Sequence, residues 1–172
     1  MTPDDARSLI AHPSLAKHPA TWADLGAGDG TFTLALASLL PPGSVVHAID
    51  TDRSALKRLP QSHGDVQIVT HTGDFTAFPW PFDAPDGVLM ANSLHYVADQ
   101  TAFLERASAN RVLLVEYDTD QANPWVPYPL SYRRAVHLFK DAGYDEATEL
   151  GRRRSRYRRA QIYGVAFSRK VG

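Results

Sequence analysis

The residues with the clearest chemical potential are glycines and acids near the ends of predicted strands. Gly26, Gly28 and Gly30 stand at alternate positions between an apolar segment and an apolar run with helical spacing. Glycine tolerates positive φ and lets a ligand lie against the main chain. A helix that starts after the turn adds free N–H groups and the positive end of its dipole. The pattern predicts a strand, a glycine turn and a helix that form a nucleotide site.

The glycine spacing does not match the dinucleotide fingerprint G-x-G-x-x-G, which would need glycine in place of Thr31. NAD is therefore the weaker candidate ligand. Asp50 ends the next predicted strand about 20 residues after the last glycine, where a carboxylate can accept hydrogen bonds from both hydroxyls of a ribose. Asp52, by contrast, is predicted to be the N-cap of the following helix.

Residues 24–30 read D-L-G-A-G-D-G and resemble the first motif of the class I S-adenosylmethionine-dependent methyltransferases, (D/E)-x-G-x-G-x-G. Residues 73–75 (G-D-F) are similar to the family's adenine-binding motif. Residues 92–95 (N-S-L-H) are similar to the strand end that meets the methionine part in members acting on small molecules. The resemblance implies S-adenosyl-L-methionine as the cofactor, bound by Asp24, Gly26, Ala27, Gly28, Gly30, Asp50, Thr51, Asp74, Phe75 and Asn92. For Asp74 the alternative is the N-cap of a helix over residues 76–78.

The candidates for chemistry on the acceptor follow the fourth and fifth predicted strands. His95 is the first candidate for a general base, because an imidazole titrates near neutral pH and can take a proton from a hydroxyl. The alternative is a histidine that pins the strand-to-helix turn. Glu116 ends the fifth strand and is a second catalytic candidate, placed to orient or deprotonate the acceptor together with Tyr96, Tyr117 and Tyr128.

Residues 118–130 are rich in proline and aromatic residues. Because this segment leaves the carboxyl end of a predicted sheet strand, it falls at the edge where open α/β sheets bind ligands. We interpret it as one wall of the acceptor pocket, with Tyr96, Trp125 and Tyr128 as predicted substrate contacts. A structural lid is the alternative interpretation.

The predicted elements that position these residues alternate along the chain. Strands are predicted at residues 21–25, 44–50, 65–71, 84–92, 111–117, 147–151 and 160–169, and helices at 31–40, 52–59, 99–108 and 132–142. The prediction is an α/β fold with a Rossmann-like, doubly wound sheet of seven strands. The sheet is mostly parallel and has helices on both faces. The family resemblance implies that the last two strands form a C-terminal antiparallel hairpin.

The 172 residues are expected to form a single methyltransferase domain, with residues 1–20 as an N-terminal helical cap and 21–172 as the core. The first helix would cover either the cofactor site or only the sheet edge. The absence of cysteine excludes disulfides, thiolate metal sites and cysteine nucleophiles. The spacing of the histidines predicts no metal site, and the chain has no apolar run of about 20 residues or signal pattern. We expect a cytoplasmic monomer or homodimer.

The charge is distributed unevenly along the chain. All 19 acidic residues precede residue 151, whereas eight of the 18 lysines and arginines follow it. The arginine-rich segment 152–159 is suited to phosphate groups of a nucleic acid. The favoured alternative is that it protects an exposed strand and balances an acidic body.

Three functions follow from these features. The first is a small-molecule methyltransferase acting by direct displacement. The alternatives are an RNA-directed methyltransferase or RNA-binding protein that uses segment 152–159, and a cofactor-binding protein without transfer activity.

Overall fold

The computed structural model describes residues 1–154 and 161–170, so most of the arginine-rich segment lies outside the described residues. Within them, one sheet of eight strands runs through the molecule in the order β3-β4-β2-β1-β5-β6-β8-β7. The strands are β1 Thr21–Leu25, β2 Val45–Asp50, β3 Ser62–His63, β4 Val66–Thr72, β5 Gly87–Ala91, β6 Arg111–Tyr117, β7 Glu146–Arg154 and β8 Gln161–Ser168.

The five central strands β4, β2, β1, β5 and β6 are parallel, and β8 lies antiparallel between β6 and β7. This arrangement confirms the predicted Rossmann-like sheet with its C-terminal antiparallel hairpin. The eighth strand, β3, is an addition of two residues that pairs antiparallel with the start of β4. Two residues carry no alternating pattern, which is why the sequence predicted seven strands.

The part of the chain that the structure describes has five α-helices, α1 Pro3–Ile10, α2 Thr31–Ala37, α3 Arg53–Leu56, α4 Gln100–Ala107 and α5 Tyr132–Asp141, with short 3-10 helices at Pro13–Ala16 and Leu94–Tyr96. Asp52 caps α3 with its carboxylate, as predicted, and Asp99 caps α4 in the same way. Ser131 occupies the N-cap position of α5 but makes no side-chain cap hydrogen bond. The Tyr132 N–H donates instead to Oδ1 of Asp118 (3.0 Å).

Each face of the sheet buries its own apolar cluster. On one face, Leu36 of α2 packs with strand residues such as Trp22 and Leu89; on the other, Leu104 of α4 and Phe139 of α5 pack with the sheet. Between β4 and β5 the structure has no helix, and the aromatic side chains of residues 75–82 pack on the second cluster instead. This placement confirms helices on both faces of the sheet.

The first helix packs against α2 and the last three strands, with Ala6, Leu9 and Ile10 fully buried. A Cβ on Gly164 of β8 would lie 1.9 Å from the Leu9 carbonyl oxygen, so the helix contacts the strand backbone directly. An ion pair of 2.8 Å between Arg153 and Asp5 joins the helix to β7. That residues 1–20 cap the cofactor site stays a prediction.

None of the described helices is both long and apolar enough to cross a membrane.

Candidate active site

The glycine turn joins β1 to α2 with three residues at positive φ: 81° at Gly26, 54° at Gly28 and 83° at Gly30. A Cβ on Gly26 would lie 2.6 Å from Cβ of Ser93, and one on Gly30 would lie 2.1 Å from Cδ2 of Leu59. A Cβ on Gly28 would meet nothing within 4 Å. Gly26 and Gly30 therefore serve close packing, whereas Gly28 borders open space.

Asp50 lies at the end of β2, beside the glycine turn. Its Oδ2 accepts a hydrogen bond from the Gly28 N–H and its Oδ1 accepts one from the Asp52 N–H, each at 2.8 Å. An ionised carboxylate has about four acceptor sites. Asp50 therefore fixes the turn and keeps acceptor capacity for two hydroxyls, while the carboxylate of Asp52 is used by Ser54 and Ala55 of its own helix.

Asp24 is fully buried at the end of β1. Its Oδ2 accepts a hydrogen bond of 2.6 Å from the Thr33 hydroxyl, and its Oδ1 has no partner among the described residues. Burial raises the pKa of Asp24 to about 7, and the nearby charge of Asp50 adds to the rise. The carboxyl group of Asp24 is thus poised between its neutral and charged forms near neutral pH.

Asn92 follows β5, the strand that pairs with β1 on the side opposite β2. It has a positive φ of 56°, and its backbone N–H donates to the carbonyl of Val115 (2.8 Å). Its side-chain Oδ1 is buried and finds no hydrogen-bond partner in residues 1–154 and 161–170. A buried acceptor without a donor costs about 1–3 kcal/mol. A ligand donor at this point would remove that cost.

The predicted adenine-binding pair lies in the loop after β4. A Cβ on Gly26 would lie 3.5 Å from Cε1 of Phe75, so the structure brings the Phe75 ring to the glycine turn. Asp74 is exposed, and its Oδ1 accepts from the backbone N–H and the hydroxyl of Thr76, both at 2.8 Å. No helix follows at residues 76–78, so the N-cap alternative for Asp74 is wrong. The carboxylate closes a local turn instead.

His95 and Glu116 form a buried pair, although they are 21 residues apart. Nδ1 of the His95 ring lies 2.6 Å from Oε2 of Glu116, and the backbone N–H of His95 donates to Oε1 at 3.1 Å. The pair forms because β5 and β6 are neighbouring parallel strands that deliver both residues to the same edge of the sheet. Nε2 of His95 has no hydrogen bond with the part of the chain that the structure describes.

A cavity of about 680 Å³ lies beside this pair. It is lined by Asn92, His95, Tyr96, Tyr117, Thr119, Gln121, Ala122, Asn123, Trp125 and Val126. The structure thus places two of the three predicted substrate contacts, Tyr96 and Trp125, on one cavity with His95. Tyr128 is not among the lining residues; its backbone N–H donates to the carbonyl of His95 (3.0 Å). Thr119, Gln121 and Asn123 belong to the segment 118–130 that was interpreted as a pocket wall, but none of them was predicted as an individual contact.

Both ends of the cavity loop, residues 118–131, are held at one carboxylate. Oδ1 of Asp118 accepts from the Tyr132 N–H, and Oδ2 pairs with Nη1 of Arg152 at 2.5 Å. Arg152 also pairs with Glu149 (2.6 Å), and its guanidinium lies 5.0 Å from the centroid of the Tyr132 ring. Sequence reasoning missed this link because its residues are up to 34 positions apart.

Two described residues of the arginine-rich segment, Arg152 and Arg153, thus pair with acids of the body. This pairing agrees with the charge-balancing interpretation at those two positions. No group of three or more histidine, aspartate or glutamate side chains able to hold a metal occurs in the described ranges.

Comparison with known proteins places the whole arrangement in a family. The profile of a family described as a methyltransferase domain matches residues 23–113, more than half of the chain. None of the curated protein sequences matches significantly.

Solved structures show the same fold at low identity. The N-terminal domain of EvdMO1 with SAH bound is 20% identical, with a TM-score of 0.70 over 98% of this chain and 81% of that chain. The YcgJ protein from Bacillus subtilis is 12% identical, with a TM-score of 0.73 over 98% and 100%. Human N-acetylserotonin methyltransferase in complex with SAM is 21% identical, with a TM-score of 0.69 over 97% and 52%.

The match to EvdMO1 itself, at 22% identity and a TM-score of 0.69, covers 97% of this chain but only 40% of that chain. The family profile, the sheet order and the glycine turn all indicate the same family. The chain therefore belongs to the methyltransferase-domain family and is a class I S-adenosylmethionine-dependent methyltransferase.

Proposed function

We propose that the chain methylates a hydroxyl group of a small-molecule acceptor, with His95 as the general base and Glu116 as the residue that positions it. The observation that carries this proposal is the buried His95–Glu116 pair, with its 2.6 Å contact, in the wall of a cavity. The cavity volume of about 680 Å³ lies in the range of about 300–1,000 Å³ that is usual for small-molecule sites.

The residues around the glycine turn fit the cofactor. Gly28 borders open space, Asp50 keeps free acceptor capacity for ribose hydroxyls, and the buried oxygen of Asn92 has no donor among the described residues. Together with Asp74 and Phe75 in the neighbouring loop, these residues would hold the nucleoside and the amino acid part. When bound, S-adenosylmethionine would supply a methyl group attached to a positively charged sulfur. The sulfur is the leaving group and keeps the electron pair of the broken C–S bond.

His95 is suited to move the acceptor's proton. An ionised carboxylate only accepts hydrogen bonds, so beside an ionised Glu116 the proton of a neutral His95 sits on Nδ1 and the lone pair is on Nε2. The Glu116 carboxylate also stabilises the imidazolium that forms when Nε2 takes a proton. General-base catalysis contributes typically about 10²–10⁴-fold, and orientation of the two reactants contributes about 7–11 kcal/mol.

The test compares two variants that keep a polar, hydrogen-bonding side chain at each position. His95→Asn should bind S-adenosylmethionine within about twofold of the wild type in calorimetry and lower kcat by about 100-fold on hydroxyl acceptors. Glu116→Gln should lower kcat by a smaller factor, because it leaves Nε2 in place. If His95→Asn turns over as fast as the wild type, His95 is not the general base.

Two alternatives from the sequence have less support. An RNA-directed activity would use the arginine-rich segment, but Arg152 and Arg153 are engaged by Asp118, Glu149 and Asp5. In a cofactor-binding protein without transfer activity, the contacts between His95 and Glu116 would serve only to pin the turn after β5.

A further inference from the structure

The wall of the cavity beside His95 is formed by rings, amides and small side chains. Of the residues that line it, the ten that the structure describes include no aspartate, glutamate, lysine or arginine. A charged acceptor that entered it would lose water without gaining an opposite charge from these ten residues, and such desolvation is unfavourable. The amides of Gln121 and Asn123 instead offer donors and acceptors to neutral polar groups. The wall therefore favours an uncharged acceptor.

Aromatic rings surround the base. Among the described residues, Trp125 and Tyr96 are two of the few large apolar side chains left exposed, at 70% and 55%, and both line the cavity. The ring centroids of Tyr96 and Tyr117 lie 4.3 Å and 6.1 Å from that of His95. Exposed apolar surface concentrated at one cavity marks a binding surface, and aromatic faces gain most from a flat aromatic partner.

The rings lie around the base itself. An acceptor held flat among them would therefore present a hydroxyl of its own ring to His95.

Resting on the proposed function above, we infer that the acceptor is an uncharged molecule whose reacting hydroxyl sits on a flat aromatic ring system, held among Trp125, Tyr96 and Tyr117. The acceptor oxygen supplies the electron pair of the new O–C bond to the methyl carbon. Its proton passes to Nε2 of His95. The electron pair of the broken C–S bond stays on sulfur, so the products are an aryl methyl ether, S-adenosylhomocysteine and one proton.

The first experiment measures binding without chemistry. The full chain, saturated with S-adenosylhomocysteine, is titrated by calorimetry with three probes of similar size: 2-naphthol, its saturated analogue decahydro-2-naphthol, and the anionic 6-hydroxy-2-naphthoate. We expect 2-naphthol to bind at least tenfold more tightly than either of the others. Equal affinity for the saturated or the anionic probe, or no binding of 2-naphthol, would overturn the inference.

A pair of variants locates the probe. Trp125→Ala should weaken 2-naphthol binding at least fivefold, whereas Trp125→Phe, which keeps a ring, should stay within about twofold of the wild type. Both should bind S-adenosylhomocysteine as the wild type does, which shows that they fold. Equal loss of affinity in the two variants, or none in either, would overturn the placement beside Trp125.

The second experiment separates this inference from the proposed function. With S-adenosylmethionine, mass spectrometry should show 2-methoxynaphthalene, and its formation should depend on His95. Preferential binding of 2-naphthol without any methyl ether would support the aromatic site and contradict the hydroxyl-methylating function. His95-dependent methylation of aliphatic hydroxyls, together with no preference for 2-naphthol, would support the function and overturn the aromatic acceptor.

Discussion

The glycine-turn side of the site (residues 24–30, 50 and 92) and the loop side (residues 95, 116 and 118–131) are built in different ways. The glycine-turn side is organised by main-chain geometry: positive φ angles and a backbone N–H held by Asp50. The loop side is organised by side-chain contacts between distant parts of the chain, such as Glu116 with His95 and Arg152 with Asp118. A short motif can specify the first kind of site, whereas the second needs the assembled sheet.

We expect the largest effect, on the free energy of unfolding, from the buried carboxyl group of Asp24 on the glycine-turn side. The pKa of Asp24 is raised from 3.8 to about 7, so the folded state binds more protons than the unfolded state between these values. The wild type should therefore lose stability as the pH rises from about 4 to 7, by at most about 4 kcal/mol at about 1.36 kcal/mol per pKa unit. Asp24→Asn should lack this loss.

Urea denaturation of the wild type and Asp24→Asn at pH 5 and pH 8 would measure the difference. The variant should gain stability relative to the wild type on going to pH 8. If the difference in the free energy of unfolding between the two proteins is the same at both pH values, Asp24 stays charged in the folded state.

The second effect separates packing from ligand contact within the turn. Gly26→Ala places a side chain 2.6 Å from Ser93 at a φ of 81°, and we expect it to lower the free energy of unfolding by about 2–4 kcal/mol. Gly28→Ala meets no protein atom within 4 Å, and we expect a loss of about 1–2 kcal/mol from its φ alone.

In calorimetry, Gly28→Ala should nevertheless bind S-adenosylmethionine more weakly, because its Cβ enters the space reserved for the ligand. Unchanged affinity in that variant would show that the cofactor does not lie against Gly28.

The third effect concerns the acid at the end of β2. Asp50→Asn keeps the shape of the side chain but removes its charge, and we expect S-adenosylmethionine affinity to fall by about 1.5–3 kcal/mol through lost charge-assisted hydrogen bonds. Asp52→Asn is the matched control, because asparagine caps a helix about as well as aspartate does. Equal affinities of the two variants in calorimetry would remove Asp50 from the cofactor site.

The smallest effect, on the acceptor KM, tests whether the cavity loop depends on Arg152, its distant partner in β7. Arg152→Ala should raise the acceptor KM by about two- to fivefold, because a partly exposed ion pair contributes only about 1 kcal/mol or less, with kcat and cofactor affinity unchanged. Arg153→Ala comes from the same segment but pairs with Asp5 of α1, so its acceptor KM should equal that of the wild type. The same KM in both variants would mean that Arg152 does not support the loop.

The parts predicted from the sequence are those that short-range chemistry determines. The strand, turn and helix around Gly26 to Gly30 and the capping role of Asp52 follow from residues only a few positions apart. The two-residue strand β3 could not be predicted, because two residues have no periodicity. Nor could the absence of a helix at residues 76–78, where Asp74 closes a turn instead.

The loop side shows the other limit of sequence reasoning. His95 and Glu116 were each candidates from their places at strand ends, but their contact depends on the pairing of β5 with β6. Likewise, the helix predicted from residue 132 begins there, but the Tyr132 N–H donates to Asp118, 14 residues earlier, and not to the side chain of Ser131 at the N-cap position. Such partners are chosen by the tertiary fold.

The closure at Asp118 makes the intervening loop an exchangeable cassette. Its two ends meet at one carboxylate, which accepts the Tyr132 N–H from the far end and the guanidinium of Arg152 from β7. A foreign loop grafted between residues 118 and 132 would inherit this closure, provided that it also supplies the backbone groups that meet His95 and Tyr163. Such a graft would exchange the wall of the cavity and leave the glycine turn unchanged.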